Sequence, residues 1–215
     1  MAKRKLQRFA EIETFPNVFY LPFGGKDFPK KGKWSEHFGN KNPIVLELGC
    51  GKGEYTIGLA QKYPLKNFIG VDIKGNRIWR GAKTAVENKM SNVAFLRTRI
   101  DIIEDAFAKN EVSEIWITFP DPQPKKENKR LTSLAFLERY KKIIQSKGTI
   151  HLKTDSKELF DFTLETISAN KLKLLDSASD LYAETEREEV KSIQTFYESG
   201  FLKKGKKICY AKFQL

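Results

Sequence analysis

The chain has 215 residues, of which 40% are hydrophobic and 31% charged, and its formal net charge at pH 7 is +12. This length and composition predict one soluble globular domain with a large core. No stretch approaches the roughly 20 apolar residues of a membrane helix. The basic N-terminus also lacks a following apolar segment, so we predict no membrane partner, no secretory signal and a cytoplasmic location.

Basic residues form clusters along the chain, at positions 3–8, 74–83, 125–130, 139–142 and 203–207. Such clusters either form an ordinary solvated surface or bind a polyanion such as nucleic acid, because neutralised phosphates release counterions. Two cysteines and two histidines are too few for a disulfide framework, and a zinc site would need added carboxylates. We therefore expect no metal.

Strand and helix patterns alternate from residue 43 to residue 169. Short β-branched runs predict strands at residues 43–49, 67–73, 92–98, 113–119, 149–155 and 206–215. Amphipathic spacing predicts helices at residues 53–64, 75–90, 101–109, 131–148 and 156–170. The alternation indicates an α/β fold with a doubly wound, mostly parallel sheet and helices on both faces. Residues 1–42 are predicted to form an N-terminal arm on a domain that spans residues 43–215.

A glycine-rich loop joins the first predicted strand to the first helix, with glycines at Gly49, Gly51 and Gly53. The acid Glu47 precedes this loop and would repel a pyrophosphate, so it suits an ammonium or sulfonium group. Asp72 ends the second strand, where a carboxylate can accept both hydroxyls of a ribose. The predicted ligand is a nucleoside with a cationic tail, which describes S-adenosylmethionine. Alternatively, the two acids only cap helices.

The stretch TFPDPQPKKENKR, residues 118–130, places one carboxylate, Asp121, among three prolines directly after a predicted strand. Prolines fix φ and restrict the residues before them, so the carboxylate should be held still. It should also lie near the ligand, because ligands bind at the carboxyl ends of strands in such sheets. Four cations follow, Lys125, Lys126, Lys129 and Arg130, and the lysines among them could contact phosphates.

The glycine loop resembles that of the class I methyltransferases, whose sheet is Rossmann-like. The segments FPDPQPKKENKRLT, GTIHLKTD and TFYESGFLKKGKKICYAKF are similar to motifs of the bacterial tRNA (guanine-N7-)-methyltransferases. This resemblance implies cofactor contacts at Glu47, Gly49, Gly51, Gly53, Asp72, Arg99 and Asp121, and catalysis at Asp121. It implies substrate contacts at Lys125, Asp155, Thr195, Phe196, Tyr197 and Glu198.

Three positions depart from the family pattern. Gln123 stands where tryptophan is usual, and Phe196 replaces a glutamate. An acid or amide is usual where Arg99 stands, so Asp101 is an alternative contact for the adenine.

The resemblance implies that the protein methylates N7 of a guanine in the variable loop of tRNA, with S-adenosylmethionine as cofactor. Guanine N7 has an in-plane lone pair and no proton to lose, which agrees with the lack of an evident general base. Two alternatives stay open: a catalytically silent RNA-binding subunit on the same fold, and a methyltransferase for another acceptor. The sequence is compatible with a monomer or a homodimer.

Overall fold

The computed structural model describes residues 2–25, 27–183 and 187–215, with side chains from residue 6 onwards. The strands are β1 (Val18–Tyr20), β2 (Ile44–Leu48), β3 (Asn67–Asp72), β4 (Val93–Arg97), β5 (Val112–Thr118), β6 (Ile144–Thr154), β7 (Lys173–Ala178) and β8 (Cys209–Gln214). The α-helices are α1 (Ala2–Ile12), α2 (Trp34–Phe38), α3 (Glu54–Lys62), α4 (Gly75–Glu87), α5 (Leu134–Lys141), α6 (Lys157–Ala169), α7 (Glu188–Lys191) and α8 (Phe196–Leu202). Short 3-10 helices span Ile100–Asp105 and Glu127–Lys129.

The strands form one sheet in the order β1-β4-β3-β2-β5-β6-β8-β7. The pairs from β1 to β6 are parallel, whereas β8 runs antiparallel to both β6 and β7. The chain winds outward from β2 through β3 and β4, and then crosses to β5 and β6 on the other side. The predicted doubly wound, mostly parallel fold is therefore confirmed, and its switch point lies between β2 and β5, where such sheets bind ligands.

Two hydrophobic clusters cover the two faces of the sheet. One cluster joins α2, α5 and α6 to alternate residues of the strands, and Leu46 of β2 belongs to it. The other joins α3 and α4 to the intervening residues, and Val45 belongs to that one. Neighbouring residues of a strand point to opposite faces, so burial on both faces explains the continuous apolar runs of β2 and β3. No helix within the described ranges is long and apolar enough to span a membrane.

Two predicted helices are wrong in extent. The helix predicted to reach residue 148 ends at Lys141, and β6 begins at Ile144. Ile144 pairs with Val112 of β5, so sheet pairing and burial override the helical pattern of this segment. The helix predicted at residues 101–109 is only the 3-10 helix Ile100–Asp105.

The segment predicted as an arm contributes to the same packed unit as the sheet. Residues 18–20 pair with β4 as the edge strand of the sheet. Trp34 is fully buried; its Nε1 donates a hydrogen bond to the carbonyl of Ala106 at 3.1 Å, and its ring stacks on Phe107 with centroids 5.5 Å apart. The described part of residues 1–42 therefore supplies both an edge strand and part of the core.

We predict that Trp34→Ala lowers the free energy of unfolding by about 3–5 kcal/mol, because it leaves a cavity and an unpaired carbonyl. The matched control is Phe23→Ala, at a ring that is 68% exposed, and it should change stability by less than about 0.5 kcal/mol. Urea unfolding of both variants measures the difference. Equal small effects would show that the segment is an appended arm after all.

Candidate active site

Two adjoining cavities open at the carboxyl ends of the parallel strands. Their volumes are about 570 and 720 Å³. The first is also lined by Asp155 and the start of α8, and the second by the residues that follow β3 and β4. Both cavities are lined by Gly49, Arg77, Phe119, Pro120 and Asp121. Asp121 therefore lies on the boundary between them, next to the switch point.

The structure separates the glycines of the loop after β2. Gly49 and Gly51 have φ values of 81° and 55°, and no heavy atom lies within 4 Å of a Cβ built on either. Their backbone is thus open to a ligand in the cavities. Gly53 also has a positive φ, of 73°, but a Cβ there would lie 2.6 Å from the ring of buried Phe95. Its geometry serves packing of the loop onto the sheet, and it lines neither cavity.

Asp72 fixes the glycine loop from the end of β3. Its Oδ2 accepts a hydrogen bond from the amide of Gly51 at 3.0 Å, and its Oδ1 accepts one from the amide of Lys74 at 2.8 Å. The side chain lines the second cavity. Each carboxylate oxygen keeps a further lone pair, so Asp72 can hold the loop and still accept hydrogen bonds from a ribose.

Glu47 is buried beneath the first cavity. Its Oε1 accepts a hydrogen bond from Thr118 Oγ1 at 2.6 Å, and its Oε2 accepts from the amide of Thr56 at 2.8 Å and from the hydroxyl of Thr56. Burial raises the pKa of Glu47 to about 7, although these hydrogen bonds oppose the shift. A cation bound in the cavity would favour the charged form of this carboxylate.

These residues fit the S-adenosylmethionine that the sequence implies. Glu47 and Asp72 offer carboxylate oxygens rather than phosphate-binding cations, and the backbone of Gly49 and Gly51 leaves open space where any side chain would intrude. This donor set suits ribose hydroxyls and a positively charged tail. Within the described residues, no group of three or more His, Cys, Asp or Glu side chains could hold a metal ion.

The predicted adenine contact involves two paired residues. Arg99 and Asp101 both line the second cavity. Arg99 Nε donates to Asp101 Oδ1 at 2.9 Å and Nη2 donates to Oδ2 at 2.5 Å, and these hydrogen bonds lower the pKa of Asp101. The guanidinium also lies 4.6 Å from the ring centroid of Phe23. Arg99 and Asp101 thus line the second cavity as a hydrogen-bonded pair, and both remain predicted contacts for the adenine.

In the proline-rich loop after β5, residues 119–130, Asp121 lies between two residues with unusual backbone conformations. Phe119 has a φ of 48° and Gln123 a φ of 47°, in the left-handed region that most side chains avoid. The amide of Gln123 donates to Asp121 Oδ1 at 3.1 Å. Such residues persist only where surrounding contacts hold them, and they are common at functional sites.

The predicted substrate residues divide into those that line the first cavity and those that do not. Asp155, Thr195 and Tyr197 line it, and Asp155 Oδ2 lies 2.6 Å from Lys206 Nζ. Lys125 is exposed on the proline-rich loop, outside both cavities.

Glu198 and Phe196, the other two predicted substrate residues, do not line the first cavity. Glu198 is fully buried, with its carboxylate 2.8 Å from the Nζ of buried Lys153. Thr195 and Glu198 also form a reciprocal capping box at the start of α8. Phe196 is exposed, with Lys52 Nζ 4.9 Å from its ring centroid. Lys153 lies within the segment GTIHLKTD and Arg77 within the basic cluster at positions 74–83, but their residue types and spacing did not single out either one as a site residue.

Comparisons with known proteins identify the family of this chain. A family model described as a putative methyltransferase matches residues 41–211. The tRNA (guanine-N(7)-)-methyltransferase of Bacteroides thetaiotaomicron is 52% identical over all of this chain and 87% of its own length. That of Christiangramia forsetii is 52% identical over all of this chain and 99% of its own length. The chain belongs to the tRNA (guanine-N(7)-)-methyltransferase family.

The fold of this methyltransferase is also found among solved structures. The 16S rRNA methyltransferase KamB superposes with a TM-score of 0.66 at 14% identity, over 86% of this chain and 93% of its own. At that identity the likeness shows the fold alone. The family membership and the Rossmann-like methyltransferase fold that the motifs implied are both confirmed.

We predict that Gly53→Ala and Gly49→Ala separate packing from ligand binding in the methyltransferase. Both changes force a side chain into the left-handed region, at roughly 1–2 kcal/mol, but only Gly53→Ala adds a clash with Phe95, at about 1–3 kcal/mol more. Gly49→Ala should instead weaken binding of S-adenosylhomocysteine. Urea unfolding and calorimetric titration test this, and equal losses of stability would contradict it.

We predict that the stability of the ligand-free methyltransferase falls with rising pH because of Glu47. The folded pKa, about 7, exceeds the ordinary 4.5, so the folded state holds the proton more tightly between these values. The stabilisation is present below about pH 4.5 and lost as pH rises to about 7, at most roughly 3 kcal/mol. Glu47→Gln should remove this component. Urea unfolding at pH 5 and pH 8 gives the difference between the two proteins; parallel pH profiles would rule the idea out.

Proposed function

We propose that this methyltransferase transfers the methyl group of S-adenosylmethionine to N7 of a guanine in the variable loop of tRNA. The observation that carries this proposal is the position of Asp121. It stands between the cavity lined by Asp72 and the cavity lined by Asp155, Thr195 and Tyr197. Full-length identity of 52% to tRNA (guanine-N(7)-)-methyltransferases gives the acceptor atom and the class of RNA.

The cofactor would occupy both cavities across their shared boundary. S-adenosylmethionine, when bound, supplies an electrophilic methyl group on a sulfonium. Asp72 would accept the ribose hydroxyls, and the second cavity beyond it, with Arg99 and Asp101, would hold the adenine. The backbone of Gly49 and Gly51, with Glu47 beneath, would face the cationic tail.

The acceptor guanine would lie in the first cavity. Its N7 lone pair would bond to the methyl carbon while the bond from that carbon to the sulfonium sulfur would break, leaving neutral S-adenosylhomocysteine. Because N7 carries no proton, the protein needs no general base. Methylation makes the purine cationic, and the carboxylates of Asp121 and Asp155 would offset the charge that develops. Thr195 and Tyr197, at the fixed N-terminus of α8, would orient the ring. Positioning of this kind can supply roughly 7–11 kcal/mol of the barrier in favourable cases.

Cations around the cleft suit an RNA substrate. Lys125 and Lys126 are exposed on the loop that carries Asp121, and Lys206 and Lys52 line the first cavity. Together with the net charge of +12, they favour contacts with phosphates on either side of the target nucleotide. A catalytically silent RNA-binding subunit would need the cations but not the intact arrangement of Glu47, the glycine loop and Asp72.

The test is methyl transfer by the purified protein from labelled S-adenosylmethionine to unmodified tRNA transcripts. Treatment of the product with borohydride and aniline cleaves RNA at N7-methylguanine. Cleavage in the variable loop is the expected result. Incorporated label without cleavage would overturn the acceptor atom, and cofactor binding without any incorporation would overturn tRNA as a sufficient substrate.

We predict opposite effects for two changes on the same loop. Asp121→Ala should lower kcat by at least about 100-fold and leave the affinity for tRNA intact, because it removes charge stabilisation beside the reacting atoms. Lys125→Ala should weaken tRNA binding and reduce its salt slope by about one, because it removes a phosphate contact. Single-turnover kinetics and filter binding at several salt concentrations measure both. Full activity of Asp121→Ala would refute its catalytic role.

A further inference from the structure

Arg130 differs from the other cations of the proline-rich loop in its burial. Lys125, Lys126 and Lys129 are exposed, whereas Arg130 is only 1% exposed. In the sequence all four belong to one basic cluster beside Asp121. A guanidinium with so little exposed surface is poorly placed to meet a phosphate.

Each of the three guanidinium nitrogens of Arg130 already has a partner. Nε donates a hydrogen bond to the carbonyl oxygen of Pro122 at 3.0 Å. Nη1 lies 3.5 Å from Glu127 Oε1, and Nη2 donates to Glu158 Oε1 at the start of α6. The guanidinium carbon also lies 4.5 Å from the ring centroid of Phe162, farther along α6. Arg130 thus links the proline-rich loop to α6.

The prolines of the loop around Asp121 leave it few backbone N–H groups for hydrogen bonds. Pro120, Pro122 and Pro124 carry no N–H group, so alternate residues of the loop cannot donate a backbone hydrogen bond. The loop must therefore be held largely through its carbonyl oxygens and through its remaining amides. Arg130 binds the carbonyl of Pro122, the residue directly after Asp121.

The loop also contains backbone conformations that need external support. Phe119 and Gln123, two residues before and two after Asp121, both have φ near +48°. On one side, the amide of Phe119 donates to the carbonyl of Lys153 at 2.8 Å. On the other side, Arg130 connects the loop to α6. It binds the carbonyl of Pro122, the residue next to Gln123, and the carboxylate of Glu158 in α6.

We propose that Arg130 is a positioning residue that holds the Asp121 carboxylate at the boundary of the two cavities, and that it does not bind RNA phosphates. This rests on the role of Asp121 in the proposed function. The fork of a guanidinium can bind a carbonyl and two carboxylates in fixed directions at once. A lysine ammonium is a point charge on a flexible stem, so it cannot replace that geometry.

Arg130→Lys is the decisive variant because it keeps the charge and removes the fork. We expect kcat at saturating tRNA and cofactor to fall by roughly 100-fold, the scale of a small misplacement of a catalytic group. Binding of S-adenosylhomocysteine should weaken, since Asp121 lines both cavities. The dissociation constant for tRNA and its salt slope should stay at wild-type values. Lys125→Ala, the phosphate-contact reference, should instead weaken tRNA binding and reduce its salt slope.

Glu158→Gln provides a second variant that does not remove a buried side chain, because the Glu158 side chain is 57% exposed. It should lower kcat by a smaller factor than Arg130→Lys, with the tRNA salt slope unchanged. If Arg130 instead served RNA, removal of its acidic partner would tighten tRNA binding. Circular dichroism and the melting temperature report folding, and a purely structural role would lower Tm without changing kcat of the folded protein.

Wild-type kcat in Arg130→Lys, or a salt slope reduced by about one in Arg130→Gln, would overturn the proposal. The proposed function fails by a different result, the absence of N7 methylation by the wild-type protein. In that event the titration with S-adenosylhomocysteine still decides the role of Arg130. Weaker binding by Arg130→Lys than by wild type supports it, and equal binding refutes it.

Discussion

The arrangement of the site depends on the hydrogen bonds that the buried carboxylate of Glu47 accepts. The carboxylate binds Thr56 of α3 and Thr118 of β5 from its own place on β2, so it ties together the three elements that meet at the switch point. The glycine loop leaves β2 directly above it, and the loop that carries Asp121 leaves β5 after Thr118. The distance between these two loops is thereby set by a polar contact within the sheet. Burying a charged group costs free energy unless it has hydrogen-bond partners or a cation nearby. The charge state of Glu47 is therefore coupled to the binding of a cationic ligand in the cavity above it.

A second buried charge fixes the opposite wall. Lys153 of β6 and Glu198 of α8 pair at 2.8 Å with neither side chain exposed, and the lysine also donates to the carbonyls of Val190 and Ile193. Burial lowers the pKa of Lys153, while Glu198 opposes that shift. Buried ion pairs add little net stability but have strict geometry. This pair therefore serves to fix where α8 begins, and with it the cavity wall at Thr195. Glu47 and the Lys153–Glu198 pair thus fix the two sides of the cleft from buried positions, and the cavities between these sides stay open to ligands.

Much of the fold and part of the site could be predicted from the sequence. The strands β2 to β5 show as short apolar runs, because burial on both faces leaves few other residue types possible. The glycine loop follows β2, Asp72 ends β3 and Asp121 lies just beyond β5, and the carboxyl ends of parallel strands meet at one edge. Their convergence on one cleft followed from topology alone, and the motifs added the family, which the comparisons confirmed.

Only the tertiary structure decided which residues of each motif face the cleft. Gly53 reads like the other loop glycines, yet its space is taken by Phe95, 42 residues farther along the chain. Arg130 reads like its neighbouring lysines, yet contacts with α6 bury it. Residues 1–42 read as an arm, yet Trp34 fills the core beside Phe107. The sequence by itself determined the parallel strands from β2 to β6, the fold class and the family, because these depend on local pattern, whereas the edge strands β1 and β7 were not predicted. The side-chain roles depend on contacts between distant residues, and those exist only once the chain has folded.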